Sequence, residues 1–188
     1  MENNTYIKNI VVVALKLLLI CAVIAGVVSF VYTATLDAYN KNIERETLQS
    51  MATIFGAGES DEISLETFAA DPDSSVKEIY GVKVNGESVG YCLKVIAKGF
   101  GGDMSLMVGY HPDKTIRGVS IVSHAETPGV GSKVDDATYL SQYEGLSGGL
   151  TISKRGDADI TSVSGATISS KAIHMAIEQA SAALALVQ

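Results

Sequence analysis

The feature that most constrains this chain is the apolar run Ile10 to Tyr32, 23 residues in which Lys16 is the only charge. As a helix such a run is ~35 Å long, enough to cross a hydrocarbon core of ~30 Å. Lys16 near the inner boundary can extend its stem to the headgroups, and Thr33 to Leu36 can lengthen the span. Alternatively, Lys16 faces a partner helix. Ala22, Ala25, Gly26 and Ser29 form a small-residue face at helical spacing, suited to close helix packing. The run is long for a cleaved signal peptide, and bulky Ile20 precedes Cys21 where a lipoprotein anchor needs a small residue. The expectation is an uncleaved single-pass anchor in the cytoplasmic (inner) membrane. With Lys8 and Lys16 at its start, the N-terminus belongs in the cytoplasm and residues after about Thr33 on the outer side.

Charge separates the two parts. Residues 1–32 carry a balance of +1 and residues 33–188 a balance of −8. An acidic outer part argues against nucleic acid as a partner, because phosphate neutralisation needs a basic surface. Cys21 and Cys92 offer neither metal spacing nor a redox pair, and His111, His124 and His174 have no ligand spacing, so no metal site is expected.

The fold class expected is α+β: an N-terminal transmembrane helix plus an outer domain with an antiparallel sheet packed by helices. Three parts are expected: 1–33 with the membrane helix, 34–75 as a connecting helix and linker, and 76–188 as a domain. Leu36, Tyr39, Ile43, Thr47, Met51 and Ile54 recur at three- and four-residue steps, which predicts a helix from Ala34 to Phe55 ended by Gly56-Ala57-Gly58. Ser60 to Asp73 reads as an acidic, turn-rich connection with room for one short helix. Four strands follow, Ile79–Val84, Ser88–Lys98, Met104–Tyr110 and Ile116–Ser123, with Asn85-Gly86 as a hairpin turn. In the second of these strands Val89, Tyr91, Leu93, Val95 and Ala97 alternate toward one face. A short helix near Asp136 to Tyr143, a strand around Leu150 to Ser153 and a last helix Ser169 to Val187 complete the reading. The last helix has an apolar stripe of Ile173, Ala176, Ile177, Ala180, Ala183, Leu184 and Val187.

Two stretches carry the candidate chemistry. Ser164-Gly165-Ala166-Thr167 stands at the mouth of the last helix, where open N–H groups and the helix dipole favour a phosphate. On its own it reads first as a helix-capping turn. Glu126-Thr127-Pro128-Gly129-Val130-Gly131 lies about forty residues upstream, and its Pro-Gly pair reads on its own as a tight bend. His124, Lys133 and several tyrosines are weaker candidates, each more simply structural.

Together these stretches resemble the FMN-binding domain family. The nearest resemblance is to the G subunit of the Rnf ion-translocating electron-transport complex, followed by the C subunit of sodium-translocating NADH:quinone reductase. The resemblance implies FMN held covalently, as a phosphoester, by the last threonine of (Ser/Thr)-Gly-Ala-Thr, here Thr167. It places Glu126 to Gly131 beside the flavin, with Gly129 and Gly131 expected to let the backbone approach the ring. It implies an electron carrier in a membrane ferredoxin:NAD⁺ oxidoreductase that moves Na⁺ or H⁺. Partners would be the other membrane and peripheral subunits, with a flavin transferase for maturation. Thr161 stands where that family usually has an acidic residue, and Asp157 and Asp159 lie out of register. A tethered binding or scaffold domain without cofactor is the alternative from a different class.

Overall fold

The computed structural model describes residues 2–58, 61–70 and 74–187. The chain splits into two compact units, Met1–Glu44 and Arg45–Gln188. Helix α1, Glu2–Phe55, starts in the first and ends in the second.

In the first unit Ile10–Leu36, 27 residues of mean hydropathy 3.0 with no side-chain burial, is long and apolar enough to cross a membrane. It includes the Thr33 to Leu36 extension. The hydroxyls of Thr33 and Thr35 return to carbonyls three and four residues earlier, which satisfies them within the helix.

The second unit is built on a five-stranded antiparallel sheet in sequential order: β1 Ile63–Phe68, β2 Val76–Val84, β3 Glu87–Lys98, β4 Asp103–Tyr110 and β5 Ile116–His124. Four of these match the expected meander. Asn85 and Gly86 both have positive φ, as a two-residue hairpin turn of the primed type requires. β1 corrects the sequence reading, which made Ser60 to Asp73 a connection with a short helix; of that stretch, residues 60 and 71–73 lie outside the described residues. β1 is an edge strand, mostly exposed, and its ladder with β2 holds it in place. Phe68 adds a tilted ring contact to Tyr91, 6.2 Å between centroids. Its polar, acidic sequence hides a strand because only one side of it is paired.

The sheet is covered on both faces. One face packs on α3, Thr167–Leu186, through Leu93, Val95, Ala97, Leu106 and Val108 against Ile173, Ala176, Ile177, Ala180 and Leu184. Ala183 and Val187 pack at the edge of this core. The other face carries a smaller core in which Met51 and Phe55, from the last turns of α1, meet Val82, Cys92 and Met107. Successive residues of β3 and β4 serve opposite faces, as the pleat dictates. Val89 departs from its expected face. The β2–β3 pairing skips it, Val82 opposing Gly90 and Lys83 opposing Ser88, so the extra residue turns Val89 toward the smaller core.

The C-terminus of α1 is closed in two ways. Ala57 N–H returns to the Ala52 carbonyl at 2.9 Å, with Gly56 at φ +66 between them. Arg117 of β5 donates to the Ile54 and Phe55 carbonyls, both at 3.0 Å, and lies over the Phe55 ring at 5.2 Å.

After β5 the chain makes the Glu126–Gly131 loop and a 3₁₀ turn, Gly131–Asp135. Helix α2, Ala137–Leu140, and a further 3₁₀ turn, Ser141–Tyr143, follow. Two short parallel strands, β6 Ile152–Ser153 and β7 Ile160–Thr161, then lead to α3. α3 starts two residues earlier than its periodicity indicates, so Thr167 is its first residue and Ala166 its N-cap.

Candidate functional site

The Ser-Gly-Ala-Thr stretch forms a tight turn into α3. Ala166 N–H donates to the Val163 carbonyl at 3.1 Å, and Gly165 stands at φ +85 in the third position, as a type II turn requires. A Cβ at Gly165 would meet nothing within 4 Å, so its backbone conformation explains the glycine and a close approach does not. Val163 N–H donates to Ser170 Oγ at 3.0 Å, which fastens the turn to the helix. Among the described residues no side chain caps the start of α3. The N–H groups of Thr167, Ile168 and Ser169 have no acceptor among the described residues, and neither has the Thr167 hydroxyl. A side-chain cap would have used these donors. Left open, they are the donors that a helix N-terminus can offer to an anion.

The upstream loop is also a turn. Val130 N–H reaches the Thr127 carbonyl at 3.2 Å, with Pro128 and Gly129 (φ +77) in the central positions. Gly129 is exposed, and Gly129 N–H donates to Ser132 Oγ at 2.9 Å. Glu126 is different: it is 5% exposed. Its Oε1 accepts from Gly101 N–H at 3.1 Å, while Oε2 is buried with no hydrogen-bond partner among the described residues. A Cβ at Gly99 or at Gly131 would collide with this carboxylate. Three glycines from two loops thus make the space in which Glu126 sits. Glu126 N–H donates to His124 Nδ1 at 3.2 Å, which gives His124 a structural role.

Both stretches line one cleft of about 440 Å³, inside the ~300–1,000 Å³ range of cofactor sites. Its wall includes Glu126, Thr127 and Gly131 from one stretch and Gly165, Ala166 and Thr167 from the other. Pro128, Gly129 and Ser164 do not line it. Of the two glycines expected beside a ring, Gly131 lines the cleft and Gly129 stands outside its wall. Gly129 serves the turn, and Gly131 makes room for Glu126.

The sequence reading missed Phe100, Lys154 and Ile168, which also line the cleft. Phe100 is 74% exposed and Ile168 58%, a conspicuous apolar rim. None of the tyrosines considered as ring partners lines it. Tyr110, Tyr139 and Tyr143 are core residues, and burial raises their hydroxyl pKa. Lys154 lines the cleft and Lys133 does not, and Lys154 forms no ion pair among the described residues. Thr161 is tied to Gln142 through its backbone: its N–H donates to Gln142 Oε1 at 2.8 Å, and Gln142 Nε2 donates back to its carbonyl. Asp159 is committed to Thr151, whose N–H and hydroxyl hold its carboxyl below the usual range, and Asp157 accepts from Ser153.

The arrangement is that of a cofactor domain: an apolar cleft, an orphaned buried acceptor, a lysine and an open helix N-terminus at one hydroxyl. Residues 99–182, which contain every residue lining the cleft, match the model of the FMN-binding domain family. Among curated relatives, the G subunit of the ion-translocating oxidoreductase complex of Methanosarcina acetivorans is 29% identical over 182 residues, 93% of this chain and 96% of that protein. The G subunit of the Na(+)-translocating ferredoxin:NAD(+) oxidoreductase complex of Acetobacterium woodii is 36% identical over 102 residues, 51% of this chain and 49% of that protein. The proton-translocating counterpart of Clostridium ljungdahlii is 32% identical over 107 residues, 55% of this chain and 58% of that protein. The chain thus spans about half the length of the latter two. The crystal structure of Shewanella oneidensis NqrC superposes with a TM-score of 0.55 at 19% identity, covering 74% of this chain and 91% of that one, which shows the shared fold.

Proposed function

We propose that the chain is the electron-carrier subunit of an Rnf-type ion-translocating ferredoxin:NAD⁺ oxidoreductase, with FMN esterified through its phosphate to Thr167. The observation that carries this reading is the single cleft shared by Thr167 and the Glu126–Gly131 loop. The residues present fit the group. The open N–H groups of Thr167 to Ser169 suit the phosphate, and Lys154 offers a balancing charge. Val130 and Ile168 suit a planar apolar ring. Glu126 Oε2 is an acceptor for a ribityl hydroxyl or the ring's N–H donor. The flavin supplies the electron chemistry, and the protein binds, orients and shields it.

In this reading the attachment is made by a separate flavin transferase. The names of the relatives support the reading of a subunit that works with other membrane and peripheral subunits. The Lys8/Lys16 flank and the acidic remainder favour an inside N-terminus and an outside flavin domain. Co-expression with a flavin transferase tests the attachment. A fluorescent band in a denaturing gel is expected for the wild type, none for Thr167→Ala, and a weaker one for Thr167→Ser. A band that survives in Thr167→Ala defeats the assignment.

A further inference from the structure

The β3–β4 turn, Gly99-Phe100-Gly101-Gly102, belongs to neither motif, yet its aromatic side chain enters the cleft wall. The turn is rigidly made. Gly99 N–H donates to the Gly102 carbonyl at 2.9 Å, and Gly101 N–H donates to Glu126 Oε1 at 3.1 Å. A methyl at Gly99 would strike Glu126, and one at Gly101 would strike the Ala125 carbonyl. The turn is thus pressed onto the 125–126 backbone and pinned by a buried carboxylate. At its tip Phe100 is 74% exposed, with Val130 (50%) and Ile168 (58%) also on the rim. A fixed backbone that holds a large aromatic ring in solvent forgoes the stabilisation its burial would bring. That arrangement makes sense where a ligand covers the ring.

We propose that Phe100 packs on the isoalloxazine ring of the flavin and that Glu126 is the positioning residue that holds the turn in place. The inference rests on the FMN reading above and adds to it a ring partner outside both motifs. Offset packing of two aromatic planes supplies contact area and excludes water from one side of the flavin.

The chain contains no tryptophan, so one can be introduced as a reporter. The full chain, loaded by a flavin transferase and purified in detergent, is compared with Phe100→Trp at equal flavin content. An indole packed on the ring is expected to quench flavin emission several-fold. Leu65→Trp, on exposed β1 away from the cleft, should leave emission at the wild-type level. Adding Glu126→Ala to Phe100→Trp should restore emission. Glu126→Gln, which keeps an oxygen for Gly101 N–H, should stay quenched. Independently, Phe100→Ala should steepen iodide quenching of the flavin relative to wild type. Wild-type emission from loaded Phe100→Trp, with unchanged iodide quenching in Phe100→Ala, overturns the packing role. Quenching that persists in Phe100→Trp/Glu126→Ala overturns the positioning role alone. A wild-type Thr167 peptide without flavin overturns this inference together with the reading beneath it.

Discussion

Glu126 and the glycines around it show why residue identity and residue role part company at this site. In the sequence, Gly129 and Gly131 are equivalent members of one motif. In the fold, Gly129 holds φ +77 in a turn with open space around it, and Gly131 is the missing Cβ that lets a buried carboxylate lie flat. Gly131→Ala should therefore cost about 1–3 kcal/mol through overpacking and should also disturb the flavin spectrum. Gly129→Ala should destabilise by about 1–2 kcal/mol through its backbone alone and leave the spectrum near wild type. Absorption spectra and thermal midpoints of the two loaded variants check this, and equal spectral effects would contradict it. Thr167 and Glu126 were singled out only through the pairing of the two motifs and the family they resemble; the turns themselves were legible from Pro-Gly and Ser-Gly. The cage was not, because Gly101 lies 25 residues from Glu126, Gly99 farther still, and no local pattern links them. Phe100 was missed for the same reason: a lone aromatic in a glycine-rich turn carries no periodicity.

At the scale of elements, the end of α1 is where sequence reading and packing agree most closely. The three- and four-residue spacing through Met51 and Ile54 forecasts a helix, and the Gly56 stop falls where expected. What the spacing does not reveal is the partner. Arg117, 62 and 63 residues away from the carbonyls it holds, joins the helix end to β5. Arg117→Ala removes two charge-assisted hydrogen bonds, a loss of about 1.5–3 kcal/mol where the groups are shielded from water. Amide exchange along residues 48–55 should speed up, with α3 unchanged. Unaltered exchange there would show that the apolar contacts of Met51 and Phe55 suffice. β1 marks the opposite case. Its residues alternate weakly, and its strand character comes from β2 rather than from its own sequence.

For the whole molecule, the basic flank of the apolar span and the acidic charge of residues 33–188 set the proposed topology. Glu87 is exposed at the β2–β3 turn. A Glu87→Cys variant should react with an impermeant thiol reagent in intact cells. The native thiols give little background: burial pushes Cys92 up to about 12, and Cys21 lies within the apolar span. Labelling only after lysis would reverse the orientation. The central claim, a flavin carried on Thr167, is tested most directly by mass spectrometry of the chain purified from its native membrane. The account predicts that the peptide containing Thr167 is heavier by FMN less water, with fragment ions that place the addition on the threonine. An unmodified Thr167 peptide from active complex would contradict it.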